Sequence, residues 1–379
     1  LSLYLFVKRT SGSDNAWYAA LCFMLSLYYL MYSHAAVTDM TLTLFITLSL
    51  FSFFLSLQRR NGVSASRRWL YLFYFFSGLA FLTKGLIGIL FPFGIAGLYL
   101  LTTERLKGIR RMISPVGMIL FLLVSGPWYF AEFAANGREF IDQFFLKHHF
   151  ERDTGTISGH SGPVFYYLAV LALGLFPWAA FLPAGILRAF RKSHQESGNF
   201  TPGGTPDDSR SLPLFSFIWL AFIFIFFSIA TTKLPNYILP SAPAAAILIA
   251  YGISGREPFW LKFSNGFASL LAFLLGAAFL FSNRYLIREG IDISGWIYLF
   301  AAILFVLSAL SLSGLLRRKT PVRSMAVMML IFLIVLSVKG LPLASEQLQG
   351  PLYRFSLYAK GRLGDGEKLI VYRLNNPSI

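Results

Sequence analysis

Apolar residues run along this chain in long stretches separated by short polar breaks. A bilayer core about 30 Å thick takes roughly 20 apolar residues as helix. Read on that scale, the stretches predict eleven spans, at about 17–33, 40–57, 69–83, 85–101, 115–131, 163–187, 213–232, 236–253, 262–282, 295–315 and 323–342. The third and fourth are short. The opening run LSLYLFV stops at Lys8-Arg9, too short to span, and reads as the end of a truncated helix rather than a signal peptide. The expected fold is therefore all-α, a polytopic transmembrane helix bundle over 1–342 with a short extracytoplasmic tail at 343–379, the start of a truncated small domain.

Two segments interrupt the rhythm. Residues 193–212, SHQESGNFTPGGTPDDSRSL, are polar and rich in Gly, Ser and Pro, and predict a flexible cytoplasmic linker. Residues 132–162 form a long outer loop. Within it Phe140, Ile141, Phe144, Phe145 and Phe150 recur at near-helical spacing against Arg138, Glu139, Asp142, Gln143 and Lys147, the pattern of a helix lying in the membrane interface.

Composition agrees with the pattern. The chain of 379 residues is 56% hydrophobic and 13% charged, against about 25% charged in soluble domains, which excludes a soluble globular protein. The single cysteine, Cys22, excludes an intramolecular disulfide. A formal charge of +16 would suggest nucleic acid in a soluble chain. Here most of the 33 cations fall in alternate loops: Lys8 and Arg9; Arg59, Arg60, Arg67 and Arg68; Arg105, Lys107, Arg110 and Arg111; Arg188, Arg191, Lys192 and Arg210; Arg256 and Lys262; Arg317, Arg318, Lys319 and Arg323. The positive-inside rule puts those loops in the cytoplasm and the tail outside, and this orientation accounts for the charge without nucleic acid.

Ionisable groups isolated within apolar sequence are candidates for function. Asp39, in HAAVTDM, is the only formally charged residue between Ala16 and Leu57; Lys84, in FLTKGLIG, is alone between Arg68 and Glu104; Lys233, in TTKLPNYILP, is alone between Arg210 and Arg256. All three fall at outer hairpin tips. Each has a plain alternative: Asp39 marks a turn or caps the next helix, and the lysines snorkel to headgroups. Together they suggest a site for an anionic group beside a catalytic acid or base. Arg152, in HHFERDTG, has the shape to grip a phosphate bidentately, or to pair with Glu151 or Asp153 at the surface. Tyr237, in the same stretch as Lys233, would place a hydroxyl near that phosphate; the plain alternative is a helix-breaking turn set by Pro235 and Pro240. His148 and His149 are adjacent and so point apart on a helix; with His160 they make a poor metal set. No glycine-rich phosphate loop appears, so a donor used outside would be lipid-linked.

TDMTLTLF (38–45), FLTKG (81–85), GPWY (126–129), FFLKHHFERDTG (144–155), FYYLAVLALGLFPW (165–178) and FFSIATTKLPNYILPSAPAAA (226–246) come in an order that resembles the integral-membrane GT-C glycosyltransferases of the aminoarabinose-transferase and protein-mannosyltransferase group, which use dolichyl- or undecaprenyl-phosphate sugars. The specific parts are KLPxYxLPxxP and TD followed by LTKG, and the likeness covers roughly 1–345. It implies about thirteen helices in the family and a site on the outer face of the bacterial inner membrane. Asp39 would match the second acidic motif, and Lys84, Arg152 and Tyr237 groups around the donor phosphate. The first outer loop, carrying the principal catalytic acidic residue, would precede residue 1. The chain is therefore expected to be an N-terminally truncated fragment, inactive alone.

The implied reaction moves a sugar from polyprenyl phosphate to a lipid A-like lipid, a glycan or a protein, with inversion. It implies no cofactor beyond the lipid-linked donor and leaves a divalent metal open. Lys84 and Arg152, with Lys233 and Tyr237, would hold the phosphate, and Asp39 would activate or position the acceptor. A lipid or sugar-lipid transporter or flippase is the rival; it predicts mid-bilayer polar groups and inverted repeats, whereas the lone charges here sit at tips.

Overall fold

The computed structural model describes the chain except residues 36, 59–66, 104–108, 111, 142–161, 196–207, 256, 289–292, 318–319, 361 and 363–379. The described residues fold into fifteen α-helices: α1 (Ser2–Ser11), α2 (Ser13–Met24), α3 (Leu27–His34), α4 (Asp39–Leu57), α5 (Arg67–Lys84), α6 (Ile87–Thr103), α7 (Pro115–Ile141), α8 (Tyr166–Gly174), α9 (Leu182–Gln195), α10 (Asp208–Ile229), α11 (Ala242–Ile253), α12 (Pro258–Arg288), α13 (Ser294–Arg317), α14 (Val322–Val335) and α15 (Leu341–Lys360). Short 3₁₀ turns at Trp178–Phe181 and Pro235–Ser241 precede α9 and α11. No strand occurs among these residues.

The expectation of eleven spans is only partly met. Among the described residues seven helical stretches are long and apolar enough to cross a membrane, and nine if two bent pairs each count as one crossing. The first pair is α2–α3, the run expected at 17–33, which bends by 55°. Ser26 causes the break by capping α3, its hydroxyl accepting from the Tyr29 N–H at 3.1 Å. The second is the run expected at 163–187, bent by 111° between Tyr166–Gly174 and Trp178–Phe190, where Pro177 interrupts it. The short third and fourth runs become α5 and α6. α5 carries Arg67 and Arg68 at one end and Lys84 at the other, and α6 is 17 residues long with Pro92 inside, so neither qualifies on length and composition.

The boundary expected at 342 falls within helical chain, because α14 passes through a π-turn at Leu336–Gly340 straight into α15. Of the expected linker at 193–212, α9 takes the beginning and α10 the end, and 196–207 lie outside the described residues. α7 carries the outer loop's first helical turns to Ile141 through a kink at Gly137 (φ 58°); the remainder of the expected interface helix lies outside the described residues.

α11 is the axis of the bundle, with all twelve of its residues buried. Beside it the many phenylalanines form a joined aromatic core. Phe6 stacks on Phe51 at 3.8 Å, and Phe53 meets Phe73, Tyr99 and Phe215 at 5.7, 6.4 and 6.0 Å. Such packing binds helices where lipid gives them no hydrophobic reason to associate. α4 and α5 are also joined by polar contacts: Ser49 shares a 2.8 Å hydrogen bond with Ser77 and donates to the Phe73 carbonyl. At the basic end, Arg9 lies over Trp69 at 5.4 Å, Ser254 donates to Asn15, and Arg188 donates to the Tyr251 carbonyl. The opposite end gathers the start of α4, the end of α5 and the turn between α10 and α11.

Candidate functional site

That opposite end holds the isolated charges. Asp39 is the first residue of α4, where the unpaired N–H groups of the helix start favour negative charge. Its carboxylate is not spent on capping: Thr38 is the N-cap, and Asp39 is 4% exposed. Lys84 is the last residue of α5. Gly85 ends that helix in the left-handed region at φ 62°, and its N–H closes on the Phe81 carbonyl at 2.8 Å. Three residues on, a Cβ at Gly88 would lie 2.3 Å from the Ala80 backbone, so only glycine lets α6 leave so close beside α5. The sequence KGLIG thus fixes where the Lys84 side chain emerges.

The ammonium of Lys84 donates to Oδ1 of Asp39, forming the ion pair between α5 and α4. The second carboxylate oxygen, Oδ2, accepts from the side-chain amide of Asn236 at 2.9 Å. A buried carboxylate costs several kcal/mol unless paired and hydrogen-bonded, and here each oxygen has a charged or neutral donor. Lys84 is the solvent-side partner, its side chain 27% exposed against 6% for Asp39. The ammonium also lies 5.5 Å from the Tyr237 ring centroid, a cation–π contact, and that ring stacks on Phe227 at 5.1 Å. Asp39, Lys84 and Tyr237, from three distant parts of the chain, therefore share one site.

Lys233 is placed differently. It is 6% exposed, and its ammonium donates to the carbonyls of Ser228, Ala230 and Phe227 at 2.9, 3.0 and 3.4 Å. An ammonium has three N–H donors, so these carbonyls at the end of α10 take them all. Its ring contact is with Tyr167, at 5.6 Å. Lys233 closes a helix C-terminus, where a cation is favoured, next to the site rather than in it. Arg152, like His148, His149 and His160, lies outside the described residues.

Sequence reasoning missed Asn236 and the tyrosines of the surroundings. Tyr28 donates to the Pro235 carbonyl at 3.3 Å and sits 5.8 Å from the Tyr32 ring; Tyr32 lies within electrostatic range of Asp39. The i, i+4 spacing of Tyr28 and Tyr32 just before Asp39 was the available signal. Among the described residues no three His, Cys, Asp or Glu side chains come together to hold a metal ion.

Residues 1–130 match the family of dolichyl-phosphate-mannose-protein mannosyltransferases. The undecaprenyl phosphate-alpha-4-amino-4-deoxy-L-arabinose arabinosyl transferase of Erwinia tasmaniensis is 29% identical over 219 residues, 58% of this chain and 36% of that protein. Its namesake in Yersinia enterocolitica is 29% identical over 239 residues, 63% and 40% of the two chains. An uncharacterised Aquifex aeolicus protein is 29% identical over 294 residues, 77% and 60%. The matched region thus covers 36% and 40% of the two transferases and 60% of the Aquifex protein, in each case less than two thirds of the relative's length. The crystal structure of ArnT from Cupriavidus metallidurans bound to undecaprenyl phosphate shares the fold, with a TM-score of 0.68 at 23% identity over 98% of this chain and 66% of that one.

Proposed function

We propose that this chain, whose matches support a member of the GT-C aminoarabinose-transferase and protein-mannosyltransferase group, is the membrane part of an inverting glycosyltransferase. It takes a sugar from a polyprenyl-phosphate donor and passes it to a lipid A-like acceptor at the periplasmic face of a bacterial inner membrane; a glycan or protein acceptor remains the broader form of the same reading. The chain is an integral membrane protein, and eleven crossings follow if α5 and α6 traverse the bilayer with the nine counted by length and composition. The observation that carries the reading is the Asp39–Lys84 pair beside Tyr237, a buried carboxylate and a part-exposed ammonium at one membrane end.

The chemistry follows from donor counting. One N–H of Lys84 is on Asp39, leaving two to meet a phosphate whose charge grows as the glycosidic bond breaks. Asp39 keeps free lone pairs on both oxygens and accepts from the acceptor hydroxyl, orienting its oxygen toward the anomeric carbon. Arg152 is assigned to the leaving phosphate as a bidentate partner, and Tyr237 keeps its hydroxyl for the same oxygens while its ring holds Lys84. Lys233 supports the turn that carries Tyr237. Charges at helix ends suit this better than transport, which calls for polar groups at mid-bilayer.

The test is transfer of labelled sugar from undecaprenyl-phosphate sugar to lipid A by membranes containing the full protein. Transfer lost with Asp39→Asn and with Lys84→Met, at equal protein, supports the reading. Undiminished transfer by both overturns it.

A further inference from the structure

We propose that Asn236 is the positioning residue of this site, holding Oδ2 of Asp39 so that Oδ1 remains on Lys84 and the carboxylate faces the acceptor in one orientation; its effect on turnover rests on the glycosyl-transfer reading above. An ionised carboxylate only accepts hydrogen bonds, so the Asn236 amide must present its NH₂ to Asp39, and it does so at 2.9 Å across 197 residues of sequence.

The segment bearing Asn236 is built as a rigid mount. Pro235 and Pro240 limit the backbone of the 3₁₀ turn. Tyr28 donates to the Pro235 carbonyl at 3.3 Å, Trp219 Nε1 donates to the Pro240 carbonyl at 3.0 Å, and Ile238 and Leu239 are buried with no exposure. Just upstream, Lys233 closes α10. The turn is thus tied to α3 and α10, and it packs against α4, the helix that Asp39 begins. The Pro235 and Pro240 carbonyls of the turn accept from the scaffold, whereas the Asn236 amide donates to the Asp39 carboxylate.

Lys84 must serve both Asp39 and an incoming phosphate. A carboxylate held only by that lysine would swing whenever the lysine shifted toward the donor. A second, neutral donor on Oδ2 keeps it aimed without competing for the phosphate, and preorganisation of this kind acts on the chemical step rather than on donor binding.

The experiment uses the full protein in detergent and in membranes, with Asn236→Ala and Asn236→Asp. The aspartate keeps the shape but cannot donate, and it sets a second carboxylate against Asp39; a purely structural role then lowers the melting temperature and leaves kcat per folded molecule unchanged. If Asn236 positions Asp39, kcat falls as well. Losing one hydrogen bond to a charged group lowers kcat by about 10- to 100-fold in Asn236→Ala, and Asn236→Asp falls further. Donor KM and the affinity for undecaprenyl phosphate itself should stay within about twofold. Wild-type kcat in Asn236→Asp overturns the inference. So does additivity in a thermal-unfolding cycle of Asp39→Ala, Asn236→Ala and the double variant; a double variant less destabilised than the sum supports it. That cycle needs no turnover, so if the unaltered protein transfers no sugar, the functional reading falls while the cycle still decides whether Asn236 holds Asp39.

Discussion

The Lys84 ammonium donates to the Asp39 carboxylate, joining the last residue of α5 to the first residue of α4 across 45 positions of sequence. Both helix ends favour the opposite charge: the lysine sits where carbonyls are unpaired, the aspartate where N–H groups are. Pair and helix termini therefore reinforce each other, and the first prediction follows from splitting them.

Lys84→Met leaves the buried Asp39 carboxylate with Asn236 alone. Breaking a fully buried pair costs roughly 3–5 kcal/mol. Because the Lys84 side chain is 27% exposed, a loss of about 2 kcal/mol is expected in detergent unfolding. The double variant Asp39→Asn, Lys84→Met should regain most of it, having no charge left to bury. Sugar transfer stays absent in Asp39→Asn, in Lys84→Met and in the double variant. A double variant as unstable as the sum of its parts would show that the two residues act independently.

Gly85 and Gly88 give the second prediction. Gly85→Ala places a Cβ at φ 62°, which costs about 1 kcal/mol, and turns the Lys84 exit. Gly88→Ala drives a Cβ into the Ala80 backbone and should abolish accumulation of folded protein. Gly97→Ala, where nothing lies within 4 Å, is the neutral control. Melting temperatures and the amount of monodisperse protein after extraction would rank them; equal yields for Gly88→Ala and Gly97→Ala contradict the packing described.

Orientation in the membrane is the third. In a Cys22→Ser background, Val37→Cys at the Asp39 end, 42% exposed, should react with an impermeant maleimide added outside intact cells. Ser13→Cys, exposed near the basic end, should react only after the membrane is opened. Labelling of Ser13→Cys from outside reverses the topology and moves the site to the cytoplasmic face.

Asp39, Lys84 and Tyr237 were legible in the sequence because a lone charge in an apolar run has few reasons to be there, and because the KLPNY stretch put an aromatic next to a proline turn. Asn236 was not, since an uncharged amide inside that stretch carries no cost signal until its partner is seen. Lys233 shows the limit from the other side. The same isolation that marks a site also marks a lysine closing a helix end, and only the positions of the Ser228 and Ala230 carbonyls separate the two. The helices were legible as apolar runs, but the bends at Ser26 and Pro177 were not, because apolarity continues across both breaks while the backbone does not.

The last prediction sets Arg152 against Lys233. The Lys233 ammonium is committed to three carbonyls at the end of α10, so Lys233→Met should act on stability, by about 1–2 kcal/mol for the lost charged donors. Lys233→Arg should restore much of that, and transfer per folded molecule should hardly change in either variant. Arg152, assigned to the leaving phosphate, should show the reverse. Arg152→Ala removes a contact that strengthens as the phosphate departs, and loss of one comparable donor elsewhere slows turnover by about 10²–10³. Arg152→Lys recovers only part of this, because a point charge cannot reproduce the bidentate fork. Melting temperature and kcat at saturating undecaprenyl-phosphate sugar, measured on each variant, separate the roles. Full turnover by Arg152→Ala together with abolished turnover by well-folded Lys233→Met would reverse them, and would require the Lys233 ammonium to leave α10 for the phosphate during the reaction.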